Sequence, residues 1–207
     1  MMTSTWSIAA LGGAALILLI FFHWYERKTV SAREVALVAT LAGLAGLSRL
    51  PFAAVPGLQP TTFLVLITGF VFGPGIGFAV GALAALVSNL FLGQGPWTLW
   101  QMVGWGLTGA SAGWVERWGR GRSFPRYFMG GMAFVWGFLF GWILNAWHWV
   151  TFVYPLTWQT FFAVQLTAVG WDALHATGNL MFTLFLGPDL VKILQRFRRR
   201  LLFIHHS

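Results

Sequence analysis

The sequence has no cysteine and very little charge. Of its 207 residues only 9% are charged, with 5 acids against 13 bases. The absence of cysteine excludes disulfides, thiolate catalysis and cysteine-ligated metals. Because a soluble domain carries about 25% charged residues, the low charge excludes a soluble enzyme, a disordered regulator and a conventional nucleic-acid-binding protein.

Apolar and small residues take the place of the missing charge. Apolar residues make up 57% of the chain, which contains 20 Phe, 13 Trp and 25 Gly, and the mean hydropathy is +0.72. Trp is typical of the membrane interface, and Gly favours close approach of helices in a bilayer. The composition therefore predicts an all-α integral membrane protein.

Apolar runs long enough for membrane helices predict seven spans, since a span needs about 20 residues. The third is short enough to be tilted, broken or partly re-entrant. The first lacks the basic N-terminal region of a signal peptide and is predicted to be retained. All eight prolines fall between spans or at their ends, as expected from their cost inside a helix. The predicted spans are 6–24, 32–48, 61–72, 75–92, 97–115, 127–147 and 158–186.

The positions of the basic residues predict the orientation of the protein in the membrane. With seven spans, 12 of the 13 bases fall on one side, in clusters at 27–33, 117–126 and 192–200, and only Arg49 falls on the other. The positive-inside rule then places the C-terminus in the cytoplasm and the N-terminus outside. The clusters are topology signals, and we expect no nucleic-acid partner.

One acid lies deep inside a predicted span. Asp172 is followed by His175 at i+3 and by Asn179, so all three share one face of the last span. A buried Asp–His pair could tie this helix to a neighbour, with Asn179 satisfying a backbone group. Because an ionisable residue inside a membrane is costly, direct contact with a substrate, a proton relay or a catalytic dyad are the functional alternatives.

Amides and indoles gather at the side opposite the basic clusters. Single indoles there are expected as interfacial anchors, but an amide inside a span needs a partner, either a helix or a ligand. Together these residues predict a largely neutral, aromatic pocket for a planar or amide-bearing solute. They are Asn89, Gln94, Trp97, Gln101, Trp105, Asn145, Trp147, Trp149 and Tyr154.

Small residues recur at four-residue spacing on several spans. Stripes of this kind usually serve packing within the chain, and the alternative is a docking face for a partner. The run Gly73–Gly77 lacks the Lys-Ser/Thr of a phosphate loop and is predicted to be a tight helix turn. The sequence has no nucleotide-binding motif, so energy for active transport would come from another chain or an ion. The stripes include Ala32/Ala36, Ala39/Gly43, Gly69/Gly73, Gly77/Gly81 and Gly109/Gly113.

Two segments carry a family resemblance. The stretch 60–115 reads PTTFLVLITGFVFGPGIGFAVGALAALVSNLFLGQGPWTLWQMVGWGLTGASAGWV, and the last helix, 171–200, reads WDALHATGNLMFTLFLGPDLVKILQRFRRR. The GQGPW turn and the DxxHxxxN helix resemble substrate-binding S components of energy-coupling factor (ECF) vitamin transporters. The resemblance covers roughly residues 32–200.

The resemblance implies a six-helix S-component core at 31–200, an extra N-terminal transmembrane helix at 1–30 and a cytoplasmic tail at 201–207. Such a protein binds a micronutrient from outside the cell and performs no chemistry, and its partners are a membrane coupling subunit and two cytoplasmic ATPases. An AxxxA stripe docks the coupling subunit in this family. Ala32/Ala36 match that spacing and Ala39/Gly43 match it nearly as well. The resemblance also implies a prokaryotic cell membrane, with no cofactor and no metal.

The substrate stays open between related classes. The sequence looks closest to the branch associated with cobalamin, and a queuosine precursor or another vitamin-like heterocycle fits almost as well. The substrate site implied combines the amide and indole set with Asp172, His175 and Asn179. The rival hypotheses are an integral-membrane enzyme, with Asp172 as general base and His175 as its orienting partner, and an ion-coupled carrier working alone.

Overall fold

The computed structural model describes residues 5–27, 30–55, 57–118 and 124–203. Every regular element in these ranges is helical, which confirms the predicted fold class. A short 3₁₀ turn, Leu50–Phe52, follows the second helix. The α-helices are α1 (Thr5–Glu26), α2 (Ala32–Leu47), α3 (Thr61–Phe72), α4 (Pro74–Leu92), α5 (Trp97–Trp118), α6 (Arg126–Phe152), α7 (Trp158–Phe185) and α8 (Gly187–Phe203).

The first seven helices coincide with the seven predicted segments, but they are not equally suited to a membrane. Four stretches of the described chain are long and apolar enough to cross one: α1, Ala32–Phe52, α4 and α6. α5 and α7 have 22 and 28 residues, but polar side chains interrupt their apolar sequence. α3 has 12 residues and is about 18 Å long at 1.5 Å per residue, which is less than the hydrocarbon core of a bilayer.

The connection between α2 and α3 packs against α7 just before α3 begins. Gly57 has φ +80°, and a Cβ there would lie 3.0 Å from the carbonyl oxygen of Trp171 on α7. Leu58 packs against Gly178 on the same helix. The hydroxyl of Thr61 donates to the carbonyl of Ala45 over 2.9 Å. The last part of the connection, from Gly57, therefore packs into the bundle, whereas residues 51 and 53–55 are exposed.

Glycine contacts hold α3, α4 and α5 together. A Cβ added to Gly69, Gly77 or Gly109 would collide with the facing backbone, and Gly81 meets the backbone of Trp105 in the same way. Their positions match the small-residue stripes, and for these stripes the packing interpretation is confirmed. The turn at Gly73, with φ +94°, ends α3 directly before Pro74 begins α4, so the predicted tight turn is also confirmed.

α1 packs against α5 and α6. Ser7 donates to the carbonyl of Val150 over 2.8 Å, and the rings of Phe21 and Phe78 are 3.9 Å apart. Near the end of α1, the Tyr25 hydroxyl donates to Glu34 over 2.5 Å. The added helix thus lies beside the α5–α6 side of the bundle.

The stretch 171–200, which carries the resemblance, forms two helices rather than one, because the chain breaks at Leu186, where the predicted seventh span ends. Pro188, the second residue of α8, has no N–H to continue the hydrogen bonding of α7. Arg198 on α8 donates to the carbonyl of Val71 over 2.7 Å and lies 3.6 Å from Glu116. α8 therefore packs across the ends of α3 and α5, and part of the expected tail, up to Phe203, is helical.

The bundle has two chemically different ends. We call "polar end" the one with the connections 48–60, 93–96 and 153–157, and "basic end" the one with the connections α1–α2 and α5–α6 and helix α8. Of the expected basic clusters, Lys28, Arg120 and Arg122 lie outside the described residues, as do His205 and His206.

Candidate functional site

A chain of hydrogen bonds crosses the middle of the bundle through His175. Its Nδ1 is 2.7 Å from the carbonyl oxygen of Gly57, and its Nε2 is 3.0 Å from the hydroxyl of Thr62. A carbonyl can only accept, so Nδ1 carries the proton in the neutral ring and Nε2 accepts from Thr62. The Thr62 hydroxyl also accepts from the indole of Trp105 over 2.9 Å. The α2–α3 connection, α3, α5 and α7 thus meet at one point.

Asn89 is the centre of a second group of contacts, beside the hydrogen bonds of His175. It is 2% exposed, and its Nδ2 donates to Gln101 over 2.6 Å and to Thr98 over 2.9 Å. Its Oδ1 accepts from Arg49 over 3.3 Å, and Arg49 also donates to Ser88 over 2.8 Å. Both the nitrogen and the oxygen of the Asn89 amide group are therefore used by named partners.

Arg49 links the contacts of Asn89 to the hydrogen-bond chain that runs through His175. It is 8% exposed, and its guanidinium carbon lies 5.0 Å from the centre of the Trp105 ring. No role was predicted for this residue from the sequence. The available signal was its position as the single base on the side opposite the basic clusters.

A separate group of polar contacts joins α6 and α7. Asn145 Nδ2 donates to Gln165 over 3.0 Å and to Asp172 over 3.2 Å. Asp172 is 7% exposed, and its carboxylate lies against Gly141, where any Cβ would collide with it. Glycine at 141 therefore makes the room that the carboxylate occupies.

Asp172 and His175 each tie α7 to a neighbour, as one of the predicted alternatives expects, but they do so separately. Although they share a buried face of α7, no hydrogen bond joins them in the described part of the chain. Asp172 turns to Asn145 on α6, and His175 turns to Gly57 and Thr62. An i+3 spacing fixes the face of a helix and leaves the choice of neighbour to tertiary packing. The dyad proposed for an enzyme lacks its orienting contact.

Asn179 lies further along the same face, toward the basic end. It is fully buried, and neither its amide nitrogen nor its oxygen has a hydrogen-bond partner among the described residues. The prediction that it satisfies a backbone group is wrong. It does not join the His175 chain or the Asp172 group.

The remaining predicted residues lie at the rim of the polar end. Trp97 and Trp147 meet edge to face with ring centres 5.8 Å apart. Trp149 donates to Thr160 over 3.0 Å, and Gln94 donates to the carbonyl of Leu86 over 3.0 Å. Tyr154 is 57% exposed. The structure thus brings Asn89, Gln101, Trp105 and His175 together and adds Asn145 and Asp172 nearby. Gln94 is connected to Asn89 through Thr98, whereas Trp149 and Tyr154 lie outside.

We call "polar cluster" the set of buried side chains near the polar end, together with the half-buried Asn145. It combines one cation, one carboxylate, one neutral imidazole and several amides, drawn from five helices and one connection. Among the described residues, no three His, Asp or Glu side chains are close enough to hold a metal ion. The set is suited to recognising a solute by hydrogen bonds. Its members are Arg49, Thr62, Ser88, Asn89, Gln101, Trp105, Asn145, Gln165, Asp172 and His175.

An apolar groove of about 390 Å³ lies elsewhere, between α2 and α8. Its α2 wall includes Ala36 and Thr40, and its α8 wall includes Ile193 and Phe197. All of the predicted docking residues face away from the core: Ala32, Ala36 and Ala39 are exposed, and Gly43 has nothing within 4 Å of a Cβ position. We call the groove between α2 and α8 the "α2 groove"; of the predicted docking residues, Ala36 lines it.

Comparison with known proteins decides the family. A sequence model described as "ECF transporter, substrate-specific component" matches residues 33–194. This chain belongs to that family. The match includes α2 to α7 and the first 8 residues of α8, so it contains the polar cluster and the lining of the α2 groove except Phe197, and it begins after α1.

Individual relatives are similar over shorter stretches. UPF0397 proteins match at 35% identity over 88 residues in Vibrio atlanticus, 33% over 89 in Aliivibrio fischeri and 35% over 98 in Photobacterium profundum. These stretches are 40%, 41% and 45% of this chain and 48%, 48% and 53% of the relatives. The chain thus spans about half the length of the curated relatives that it matches. No solved structure matches it.

Proposed function

We propose that this protein is the substrate-binding subunit of an ATP-driven ECF-type micronutrient importer. Its family is one of transporter components rather than enzymes, and the match covers residues 33–194. The S-component core is 31–200, with α1 as an addition. Since the sequence has no nucleotide-binding motif, ATP hydrolysis is supplied by two cytoplasmic ATPases, acting through a membrane coupling subunit.

The polar cluster is the observation that carries this proposal. Burying amides and a cation inside a membrane protein is costly unless they serve each other or a ligand. The α2–α3 connection contributes two groups to the cluster, the side chain of Arg49 and the carbonyl of Gly57 that binds His175. Residues 51 and 53–55 of the same connection are exposed, and they are the part that moves aside to admit a solute and closes over it.

We place the polar end outside the cell and the basic end in the cytoplasm of a prokaryotic plasma membrane. The positive-inside rule supports this orientation, because Arg33, Arg117, Arg126 and the bases of α8 are at the basic end. The α2 groove, which also lies there, is the docking face for the coupling subunit. α1 packs mainly against α5 and α6, reaches α2 through the hydrogen bond from Tyr25 to Glu34, and contributes no residue to the lining of this groove.

Two solute classes are proposed. Cobalamin or a related corrinoid comes first, because the resemblance points to that branch and its amide fringe suits Asn, Gln and Trp side chains. A compact heterocycle such as a queuosine precursor comes second. The packing favours it, because Trp105 is fully buried and Asn89 is 2% exposed, which leaves little room for a corrin ring without opening.

A solute panel tests the proposal. The full chain, purified in mild detergent, is titrated with cobalamin, cobinamide, queuine and the B vitamins while tryptophan fluorescence is followed. We expect one class to quench the fluorescence at submicromolar concentration, because Trp97, Trp105 and Trp147 lie in or beside the cluster. Trp97→Ala and Asn145→Ala should weaken binding. Unchanged affinity in both variants would show that the solute does not bind at this site.

Asp172→Asn separates a binding protein from an enzyme. A binding protein keeps its solute chemically unchanged before and after the substitution. If wild-type protein converts a bound solute to a product and Asp172→Asn stops the conversion while binding persists, the transporter proposal fails. Uptake that depends on a proton or sodium gradient and needs no ATPase would favour a carrier working alone.

A further inference from the structure

Arg49 is a buried cation without a counter-charge. It belongs to a stretch apolar enough to span a membrane, Ala32–Phe52, and it is 8% exposed. Among the described residues the ion pairs are Lys192–Asp189 and Arg198–Glu116, so no carboxylate is paired with Arg49. A buried arginine without an acid is costly, and its presence calls for an explanation.

The contacts of Arg49 within the protein are all neutral. Nη1 alone makes the hydrogen bonds to Ser88 and Asn89, and the face of the guanidinium lies over Trp105. These contacts orient the side chain, but their acceptors are a hydroxyl and an amide. They account for the position of the group and leave its charge unbalanced.

One edge of the guanidinium group has no hydrogen-bond partner among the described residues. Nε is buried and has no hydrogen-bond partner among the described residues, and none of the hydrogen bonds found there uses Nη2. Nε and Nη2 point to the same side of the planar group, as the fork that binds the two oxygens of a carboxylate or phosphate. The neutral contacts thus fix Arg49 with this fork unoccupied.

The other unpartnered polar groups near the polar end are donors as well. Within the described residues, the buried Nε1 of Trp147 and Nε2 of Gln165 have no acceptor. The unpartnered oxygens, those of Asn179 and Thr183, lie further along α7 toward the basic end. This half of the bundle therefore has a surplus of N–H donors, which a solute rich in acceptors would satisfy.

We infer that the solute carries an anionic group, a carboxylate or a phosphate, which the Nε–Nη2 edge of Arg49 binds. The inference rests on the proposed function and narrows its substrate class. Ser88, Asn89 and Trp105 hold the guanidinium group in place. The buried donors Trp147 and Gln165 are available to other acceptors of the same solute.

Matched pairs of probes test this inference on the full chain. Nicotinate with nicotinamide, biotin with biotinamide and pantothenate with panthenol differ at a carboxylate. Pyridoxal phosphate with pyridoxal and flavin mononucleotide with riboflavin differ at a phosphate. Binding is measured by fluorescence quenching and by the shift in thermal unfolding temperature. We expect the charged member of at least one pair to bind about 10-fold or more tightly than its neutral partner, and the pair that responds tells carboxylate from phosphate.

Substitutions then assign the preference to a residue. Arg49→Gln should remove the preference for the charged member, whereas Arg49→Lys should retain part of it because the charge remains without the fork. Arg126→Gln is the matched control, since it removes one exposed base at the basic end and should leave the preference unchanged. Should Arg49→Gln fail to fold, the wild-type preference and Arg49→Lys still decide.

The outcomes separate this inference from the proposed function. A solute that binds wild-type protein and Arg49→Gln equally, or a neutral member that binds as tightly as its charged partner, would overturn the inference and leave the transporter subunit standing. If no probe binds, the mass of any solute that co-purifies decides, and a solute without an acidic group overturns the inference. Wild-type protein with neither probe nor co-purified solute overturns both.

Discussion

The two ends of α2 lie in opposite environments. Beyond its C-terminus, Arg49 is buried among Ser88, Asn89 and Trp105. Toward its N-terminus, Ala36 and Thr40 line an open apolar groove with α8. The same helix thus connects a buried, hydrogen-bonded site with an exposed, smooth surface. If the polar cluster binds the solute and the α2 groove binds the coupling subunit, as proposed, the two properties depend on separate residues, and substitutions at either end should affect one property alone.

The largest effect is expected at the groove. Ala36→Trp places an indole where a partner helix needs a small residue, and it should abolish co-purification of the coupling subunit and ATPases with the tagged chain from its native membranes. Solute affinity should stay within about twofold of wild type, which is below about 0.5 kcal/mol. Mass spectrometry of the captured complex and fluorescence titration measure the two properties.

Val35→Trp is the matched control for this prediction. Val35 is exposed next to Ala36 but does not line the groove, so the same added bulk should leave the complex intact. Loss of the complex in both variants, or in neither, would show that the α2 groove is not the docking face.

A smaller loss, confined to binding, is expected at the polar end. Asn89→Leu keeps a side chain of similar size but removes the partners of Gln101, Thr98 and Arg49. Because a lost hydrogen bond to a charged group costs about 1.5–3 kcal/mol, solute affinity should fall about 10- to 100-fold while co-purification of the partners persists. Gln159→Leu, an exposed amide on α7, serves as the control. If both variants bind equally well, Asn89 does not belong to the site.

Thr62→Val tests the link between the two groups of contacts. The substitution leaves the Nε1 of Trp105 without an acceptor and the Nε2 of His175 without a donor. We expect the free energy of unfolding to fall by about 1–3 kcal/mol and the solute affinity to fall less than in Asn89→Leu. Thermal unfolding and titration measure both, and Thr68→Val is the control because the hydroxyl of Thr68 donates to the carbonyl of Leu64 on its own helix. A larger loss of stability in the control would contradict the inter-helix role of Thr62.

The smallest effect is expected at Ser7, near the start of α1, where this helix contacts α6 rather than α2. Ser7→Ala removes the hydrogen bond to the carbonyl of Val150 and should cost about 0.5–1.5 kcal/mol of stability. Solute affinity and co-purification should both be unchanged. A defect in either would give α1 a part in binding or docking, which its contacts with α5 and α6 do not suggest.

Hydropathy and proline positions predicted α1 to α7, because lipid requires long apolar helices and proline interrupts them. The amides Asn89, Gln101 and Asn145 were predicted as site residues because a buried amide needs a partner. Asp172 and His175 tie α7 to its neighbours as predicted but make no contact with each other, since one partner of His175, Gly57, is 118 residues away in sequence. Arg49 was missed because nothing in its own segment indicates burial. Long-range contacts of this kind depend on how the helices pack, which local spacing does not determine.

Native mass spectrometry with an absorption spectrum tests the central claim most directly. Wild-type protein and Asn89→Leu are purified in mild detergent from cells grown in rich medium, with size-exclusion profiles to show that both are folded. The polar cluster as a solute site predicts one small molecule bound to the wild type and little or none bound to the variant. The visible spectrum tells a corrinoid from a smaller heterocycle. A wild type that is empty and ignores the vitamin panel, or a variant that carries the same molecule at the same occupancy, would contradict the claim.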